Sequence, residues 1–289
     1  MRAFAYERPT DLDAAIATLA RHGDDARPLA GGTDLIIRLR DGTIRPRLVV
    51  DLKGIAELDD AIAEHDGGLR IGARTIMTDI AADPRIRRDY QALAEGAAVV
   101  GAVQIRNRAT LAGNICNASP AADTAPALLV FGAVVVAVGP AGERRIPIDA
   151  FFVRSGVTTL GPEELVTAIE LPRSAAPRGS THVRRTRRRG HDLASVTLSC
   201  TVSADGTVTI GYGSLGPRPI LVTDDSGVLV DPAAPERAKL ECLDALFVDA
   251  SPSPRSLRAS PDYRLAMLRV LALRAIAKAA ERLNHADGA

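Results

Sequence analysis

Residues 29–35 read Leu29-Ala30-Gly31-Gly32-Thr33-Asp34-Leu35, a short apolar extended piece that breaks at two glycines directly into a helical turn. Two adjacent residues without a Cβ let a dianionic group approach the backbone, and the first turn of the new helix offers it unpaired N–H groups. The pattern predicts a phosphate cradle built without lysine. A plain turn would carry the same letters, because Gly-Gly is common in loops. Asp34 is a poor neighbour for an anion and is expected to turn away or to cap the helix.

Working outward, Asp11 to His22 sets Leu12, Ala15, Ile16 and Leu19 at helical spacing, with Thr10 or Asp11 available as the cap. Leu48 to Val50 and Leu69 to Gly72 read as strands, Thr75 to Ala82 as a helix capped by Thr75, and Tyr90 to Val100 as an alanine-rich helix. Gly101 to Ala125 is polar and fits neither period, and a stretch of that length without regular structure is usually functional. Ala133 to Val138 and Glu164 to Leu171 read as buried strands, and the loop Pro172 to Ser180 as a domain boundary. Beyond it, Ala194 to Val202 and Thr207 to Tyr212 flank the hairpin signal Ala204-Asp205-Gly206, and Pro235 to Phe247 and Ser260 to Asn284 read as helices. The expected fold class is α+β. Residues 1–172 would form a domain of mixed αβ units, and residues 178–289 an antiparallel sheet with helices on one face.

A second motif lies inside the irregular stretch: Arg108-Ala109-Thr110-Leu111-Ala112-Gly113-Asn114-Ile115-Cys116-Asn117-Ala118-Ser119-Pro120-Ala121-Ala122-Asp123. Its hydroxyls and amides suit phosphate and sugar oxygens, and its carboxylate suits hydroxyls. A ligand with both phosphates and a polyol would use all of them. Asx turns, with Asp123 capping a helix from Ala125, would account for several of these residues without any ligand.

Other features narrow the function. With 46% hydrophobic and 25% charged residues over 289 positions, the chain reads as a globular protein large enough for two domains. Its 36 basic and 35 acidic residues give a net charge of +1, which offers no general attraction to nucleic acid or an anionic membrane. The run Arg184-Arg185-Thr186-Arg187-Arg188-Arg189 has no interleaved aromatics and reads as a solvated strand or an interface face. Cys116, Cys200 and Cys242 lie far apart, and His22, His65, His182, His191 and His285 lack ligand spacing. No metal or iron–sulfur site is therefore expected, and the histidines are assigned to surface or loop positions. With no signal-peptide core and no apolar stretch of membrane-spanning length, a cytoplasmic location is expected. Gly139-Pro140-Ala141-Gly142 leads into a strand rather than a helix, so it is no dinucleotide fingerprint, and nothing resembles an activated nucleophile.

The pair AGGTDL and RNRATLAGNICNASPAADTAPAL resembles the two FAD-binding motifs of flavin subunits in the xanthine dehydrogenase and carbon monoxide dehydrogenase family. Gly68 to Ala73, Leu93 to Asn107, Phe151-Phe152, Leu160 to Pro172, Arg187 to Val196 and Leu215-Gly216-Pro217 resemble family positions as well, so the likeness covers essentially the whole chain. It implies a vanillyl-alcohol-oxidase-like FAD-binding domain over residues 1–172 in two parts, about 1–55 and 56–172, followed by a carboxyl-terminal domain that closes over a non-covalently bound FAD. The stretch Leu29 to Leu35, chiefly Ala30 to Leu35, would hold the pyrophosphate. Thr110, Gly113, Asn114 and Asn117 would line the phosphates and flavin, with Cys116 in the same loop, and Asp123 would make a polar contact to FAD. Gly101 and Ile105 would lie by the ring, and Leu160 would shield it. Arg184 stands where the family often has lysine, keeping the positive charge but changing its geometry.

The resemblance further implies an electron-transfer subunit of a molybdenum hydroxylase. Iron–sulfur clusters and molybdopterin would belong to partner subunits, and the acceptor would be NAD, dioxygen or another molecule. A self-sufficient flavin oxidase or dehydrogenase is the first rival and would need its own substrate cavity. A non-enzymatic anion-binding module using Arg184 to Arg189 is the second.

Overall fold

The computed structural model describes residues 2–188 and 190–286, so Arg189 of the basic run lies outside the described residues. The first unit comprises β1 (Ala5–Glu7), α1 (Leu12–His22), β2 (Ala26–Leu29), α2 (Leu35–Arg40) and β3 (Leu48–Asp51). Asp11 rather than Thr10 caps α1, its carboxylate accepting the Ala14 N–H at 2.8 Å. The helix buries Ala15, Ile16 and Leu19. β1 and β2 pair in parallel on either side of β3, whose residues are all buried, as the centre of a covered parallel sheet requires.

The chain continues through β4 (Ile62–His65), β5 (Gly68–Gly72), α3 (Met77–Ala82), α4 (Pro84–Asp89), α5 (Gln91–Ala98), α6 (Val103–Arg106), α7 (Leu111–Cys116) and α8 (Ala125–Val130). It then forms β6 (Val134–Gly139), β7 (Gly142–Pro147), α9 (Ile148–Phe151), β8 (Phe152–Arg154), β9 (Val157–Thr158) and β10 (Leu165–Leu171). The larger sheet of this region is antiparallel in the order β4-β5-β10-β6-β7, and β10, the last to arrive, takes the fully buried centre.

Two expectations fail in this region. Thr75 does not cap α3, because the next residue, Ile76, is held extended by a β-bridge to Thr110, and the helix starts only at Met77. The Thr75 hydroxyl donates instead to Ala61 O at 3.4 Å. Nor is Gly101 to Ala125 irregular, since α6 and α7 occupy it with four and six residues. Helices that short complete too few turns for a 3.6-residue period to register.

The remaining segment contains β11 (Arg178–Arg185), β12 (Val196–Ser203), β13 (Val208–Gly213), β14 (Ile220–Asp224), α10 (Glu236–Leu246) and α11 (Pro261–Ala286). The four strands pair antiparallel in sequence order, and the β12–β13 turn places Gly206 at a φ of 86°. Val196, Leu198, Cys200 and Val202 of β12 pack with Leu268, Ala272 and Ile276 of α11 in an apolar core separate from that of the preceding region. The opposite, polar face carries Thr197, Ser199 and Thr201, and it is buried too, beneath α8 and the loop before it. Gly211 and Gly213 of β13 allow this approach: a Cβ there would come within 2.4 Å of Pro126 O and 2.5 Å of Pro120 O. Among the described residues no helix is long and apolar enough to cross a membrane.

β11 is an edge strand, and the N–H of His182 that points away from the sheet is taken by the Glu95 carboxylate of α5 at 2.7 Å. Glu95 also accepts from Thr181 Oγ1 at 3.0 Å and pairs with Arg282 and Lys278 of α11. Burial alone would raise the Glu95 carboxyl, but the Arg282 hydrogen bond, the His182 N–H and the two nearby cations outweigh it and hold the group below the usual glutamate range. A carboxyl depressed in the fold adds stability that is present above its unfolded value, ~4.3, and lost as pH falls through the folded value. Glu95→Gln should therefore melt several degrees below the wild type at pH 7, for a loss of about 1–3 kcal/mol. In melting curves recorded from pH 7 downward, the gap should narrow once pH passes below ~4.3; a gap independent of pH would contradict this role.

Candidate cofactor site

A cavity of about 730 Å³ opens where the β2–α2 turn, the segment from Val100 to Asp123, the β9–β10 connection and β11 meet. That size lies within the roughly 300–1,000 Å³ typical of small-molecule and cofactor sites. Its wall contains Ala30, Gly31, Gly32, Thr33, Asp34, Leu35, Gly101, Ile105, Thr110, Gly113, Asn114, Cys116, Asn117, Asp123, Leu160 and Arg184. Of the residues expected at the site only Leu29 is outside the lining. Its side chain lies behind the turn, with Cδ1 2.8 Å from where a Cβ on Gly32 would be.

The two glycines of the turn are required for different reasons. At Gly31 a Cβ would sit 2.0 Å from the carbonyl oxygen of Arg108, so the missing side chain lets the two sequence motifs touch backbone to backbone. Gly32 has a φ of 76°, and a Cβ there would face Leu29 and Ile36. Neither absent Cβ is what opens space for an anion, contrary to the expectation from sequence. What suits an anion is the donor set: among the described residues, the N–H groups of Gly31, Gly32, Thr33, Asp34 and Leu35 donate to no protein acceptor. The α2 ladder begins only with Ile36 N–H to Gly32 O at 3.0 Å. Asp34 makes no side-chain capping bond and stands exposed at the cavity rim.

The second motif is held opposite by α6 and α7. Gly101, at a φ of 53°, packs against Ile105, and the bridge between Ile76 and Thr110 fixes the start of α7. Thr110 caps that helix, its hydroxyl oxygen accepting the Gly113 N–H at 3.1 Å. Asn114 Oδ1 accepts from Thr124 Oγ1 at 2.6 Å, leaving its amide N–H groups for a ligand. The Asn117 side chain, half-buried in the wall, has no hydrogen bond to protein among the described residues. Cys116 is exposed at the cavity wall.

Asp123 does not cap α8, because Thr124 intervenes and α8 has no side-chain cap. Only 7% exposed, the Asp123 carboxylate accepts from Arg184 Nη1 at 2.7 Å and from Thr197 Oγ1 at 3.0 Å. Arg184 is thereby anchored at the wall. Residues that sequence reasoning missed also line the cavity: Arg27 and Arg38 beside the glycine turn, Gly156 to Leu165 in part, and His191, Asp192 and Leu193 from the β11–β12 loop. The two arginines flank the cradle in sequence and could have been noticed as cations near an anion site; the loop reaches the cavity only through the tertiary fold. His182, assigned from sequence to the surface or a loop, is instead buried on β11 at 7% exposure.

The chain is similar to known proteins over most of its length. Residues 2–174 match the family described as the FAD binding domain in molybdopterin dehydrogenase, and residues 181–279 match the CO dehydrogenase flavoprotein C-terminal domain. A putative xanthine dehydrogenase FAD-binding subunit of Escherichia coli is 31% identical over 281 residues, covering 95% of each chain. The carbon monoxide dehydrogenase medium chain of Hydrogenophaga pseudoflava is 28% identical over 277 residues, covering 94% of this chain and 96% of that one. Among solved structures, carbon monoxide dehydrogenase from H. pseudoflava, in a form lacking the Mo-pyranopterin moiety, superposes with a TM-score of 0.89 at 28% identity, covering 97% and 98% of the two chains. Quinoline 2-oxidoreductase from Pseudomonas putida 86 gives 0.85 at 25% identity, with the same coverage.

The contact at Gly31 makes a direct prediction. Gly31→Ala must push the Arg108 backbone away, an overpacking that costs about 1–3 kcal/mol, and should lower the melting temperature by several degrees. An unchanged melting temperature would contradict the backbone contact between the two motifs.

Proposed function

Because this chain belongs to the family of FAD-binding subunits of xanthine and carbon monoxide dehydrogenase-type molybdenum hydroxylases, we propose that it carries electrons from a partner iron–sulfur subunit to NAD, dioxygen or another acceptor. Molybdopterin and the substrate would belong to a further subunit of the same complex, and the complex would work in the cytoplasm. The domain divide falls, on this reading, in the connection from Pro172 to Arg178, between the two apolar cores. The observation that carries the reading is the run of unpartnered N–H groups from Gly31 to Leu35, set into one wall of a cavity whose other walls hold Asn114, Asn117, Asp123 and Arg184.

Bound FAD supplies the redox chemistry, and the protein supplies position, burial and charge. The N–H groups of Gly31 to Leu35 would hold the pyrophosphate without any compensating lysine. Thr110, Gly113, Asn114 and Asn117 would line the phosphates and flavin. Gly101 and Ile105 would lie beside the ring, and Leu160 would exclude water from it. Arg184, fixed by Asp123, would keep a positive charge at the site, where it favours the reduced, more negative cofactor. The division of labour is supported by the widely separated cysteines and by relatives named as subunits or medium chains of dehydrogenases.

Asn117 gives the cleanest test, because its side chain holds nothing else together. Asn117→Ala should weaken FAD binding by roughly threefold to tenfold, the value of one ordinary hydrogen bond, while leaving the melting temperature of the apoprotein unchanged. Titration of apoprotein with FAD, followed by flavin fluorescence, measures the first quantity. Unaltered affinity would remove Asn117 from the site. The purified single chain should also release all its FAD on acid precipitation and oxidise no organic substrate; sustained substrate turnover without partner subunits would favour the self-sufficient oxidase instead.

A further inference from the structure

β11 places His182 two residues before Arg184, on the same face of the sheet. Strand pairing sets His182 opposite Ser199 and Arg184 opposite Thr197, and Gly211 and Gly213 of β13 complete the two rows. With no side chain on β13 to intervene, the loop before α8 settles onto this face and brings Asp123 over the rows. Arg184 and Thr197 donate to the Asp123 carboxylate from the nearer row. From the second row His182 directs Nε2 towards Asp123 Oδ1 across 3.6 Å, while its Nδ1 lies 3.0 Å from Ser199 Oγ. His182 is 7% exposed, and its Nε2 is buried with no hydrogen-bond partner. Buried polar atoms are almost always partnered, so an orphan aimed at a carboxylate calls for an explanation.

We propose that His182 is a positioning residue of the cofactor site, acting on FAD through Asp123 and Arg184. With the Ser199 hydroxyl donating to Nδ1, the imidazole carries its proton on Nε2 and presents it to Asp123 Oδ1. A small movement of the carboxylate closes that gap into a hydrogen bond. Asp123 is then oriented from one side by His182 and Thr197, so that its other oxygen meets Arg184 and holds the guanidinium at the cavity wall. The arrangement is the familiar one in which an outer partner fixes the geometry of the group that touches the ligand. This role rests on the reading of the cavity as an FAD site, and it adds a residue that does not line the cavity.

Two amide variants separate the two ends of the imidazole. His182→Gln puts an N–H where Nε2 lies and can reach Asp123 but not Ser199, whereas His182→Asn replaces Nδ1 and can reach Ser199 but not Asp123. His182→Phe fills the volume and reaches neither. FAD affinity of the full chain, measured by titrating apoprotein, should stay near the wild-type value for His182→Gln. It should fall about tenfold for both His182→Asn and His182→Phe, the value of one hydrogen bond to a charged group. Affinity retained in His182→Asn but lost in His182→Gln would overturn the inference, since the histidine would then serve only the strand contact with Ser199. Equal losses in all three variants, in step with their melting temperatures, would overturn it as well, as would wild-type affinity in all three. In each of those cases the wild-type chain still binds FAD and the broader reading stands. A wild-type chain that fails to bind FAD overturns both.

Discussion

The Asp123 carboxylate cannot be buried without partners, and the partners it finds lie on another part of the chain. A charge this far from solvent is tolerated only where hydrogen-bonded or oppositely charged groups replace its water. Arg184 and Thr197 of the carboxyl-terminal sheet do so, while the loop bearing Asp123 belongs to the preceding region. The match therefore fixes how the sheet lies on the rest of the protein. Gly211 and Gly213 are the steric consequence, since the carbonyls of Pro126 in α8 and of Pro120 in the loop before it occupy the space their side chains would need. Glu95 fastens the same strand, β11, from its edge and joins it to α11. The cavity is the space left between these fixed surfaces.

That construction leaves the cavity with donors the protein itself does not use. The turn at Gly31 and Gly32 is shaped by Arg108, Leu29 and Ile36, and its N–H groups have no protein acceptor among the described residues. Asn114 and Asn117 line the same cavity. A site rich in unspent donors, with one arginine anchored by a buried carboxylate and no activated nucleophile, is suited to holding an anionic dinucleotide rather than to attacking a substrate. The chemistry then belongs to the cofactor, and the protein determines where it sits and what charge surrounds it.

Much of this could be read from the sequence, and the failures have physical causes. The two motifs lead to a single cavity because small and polar residues are grouped locally in each. The reason for Gly31 could not be read, because the carbonyl it avoids belongs to Arg108 and the contact exists only in the folded chain. Thr75 has the letters of a helix cap, but the Ile76–Thr110 bridge keeps the backbone extended past it. The polar alternation of β12, with Thr197, Ser199 and Thr201, looks like a solvated face, and it is buried because another part of the chain covers it. For His182 the sequence offers only the lack of ligand spacing, from which a surface or loop position is expected; its burial comes from the cover that α8 and its loop give to the sheet face.

The central claim is that the unpartnered N–H groups from Gly31 to Leu35 are where the cofactor's anionic centre is held. Amide hydrogen exchange of the full chain, with and without saturating FAD, tests it residue by residue. These amides should exchange readily in the apoprotein, because no protein acceptor protects them, and should slow markedly on addition of FAD, while amides on the far side of α11 stay unchanged. FAD binding that leaves the exchange of Gly31 to Leu35 unaltered would contradict the account.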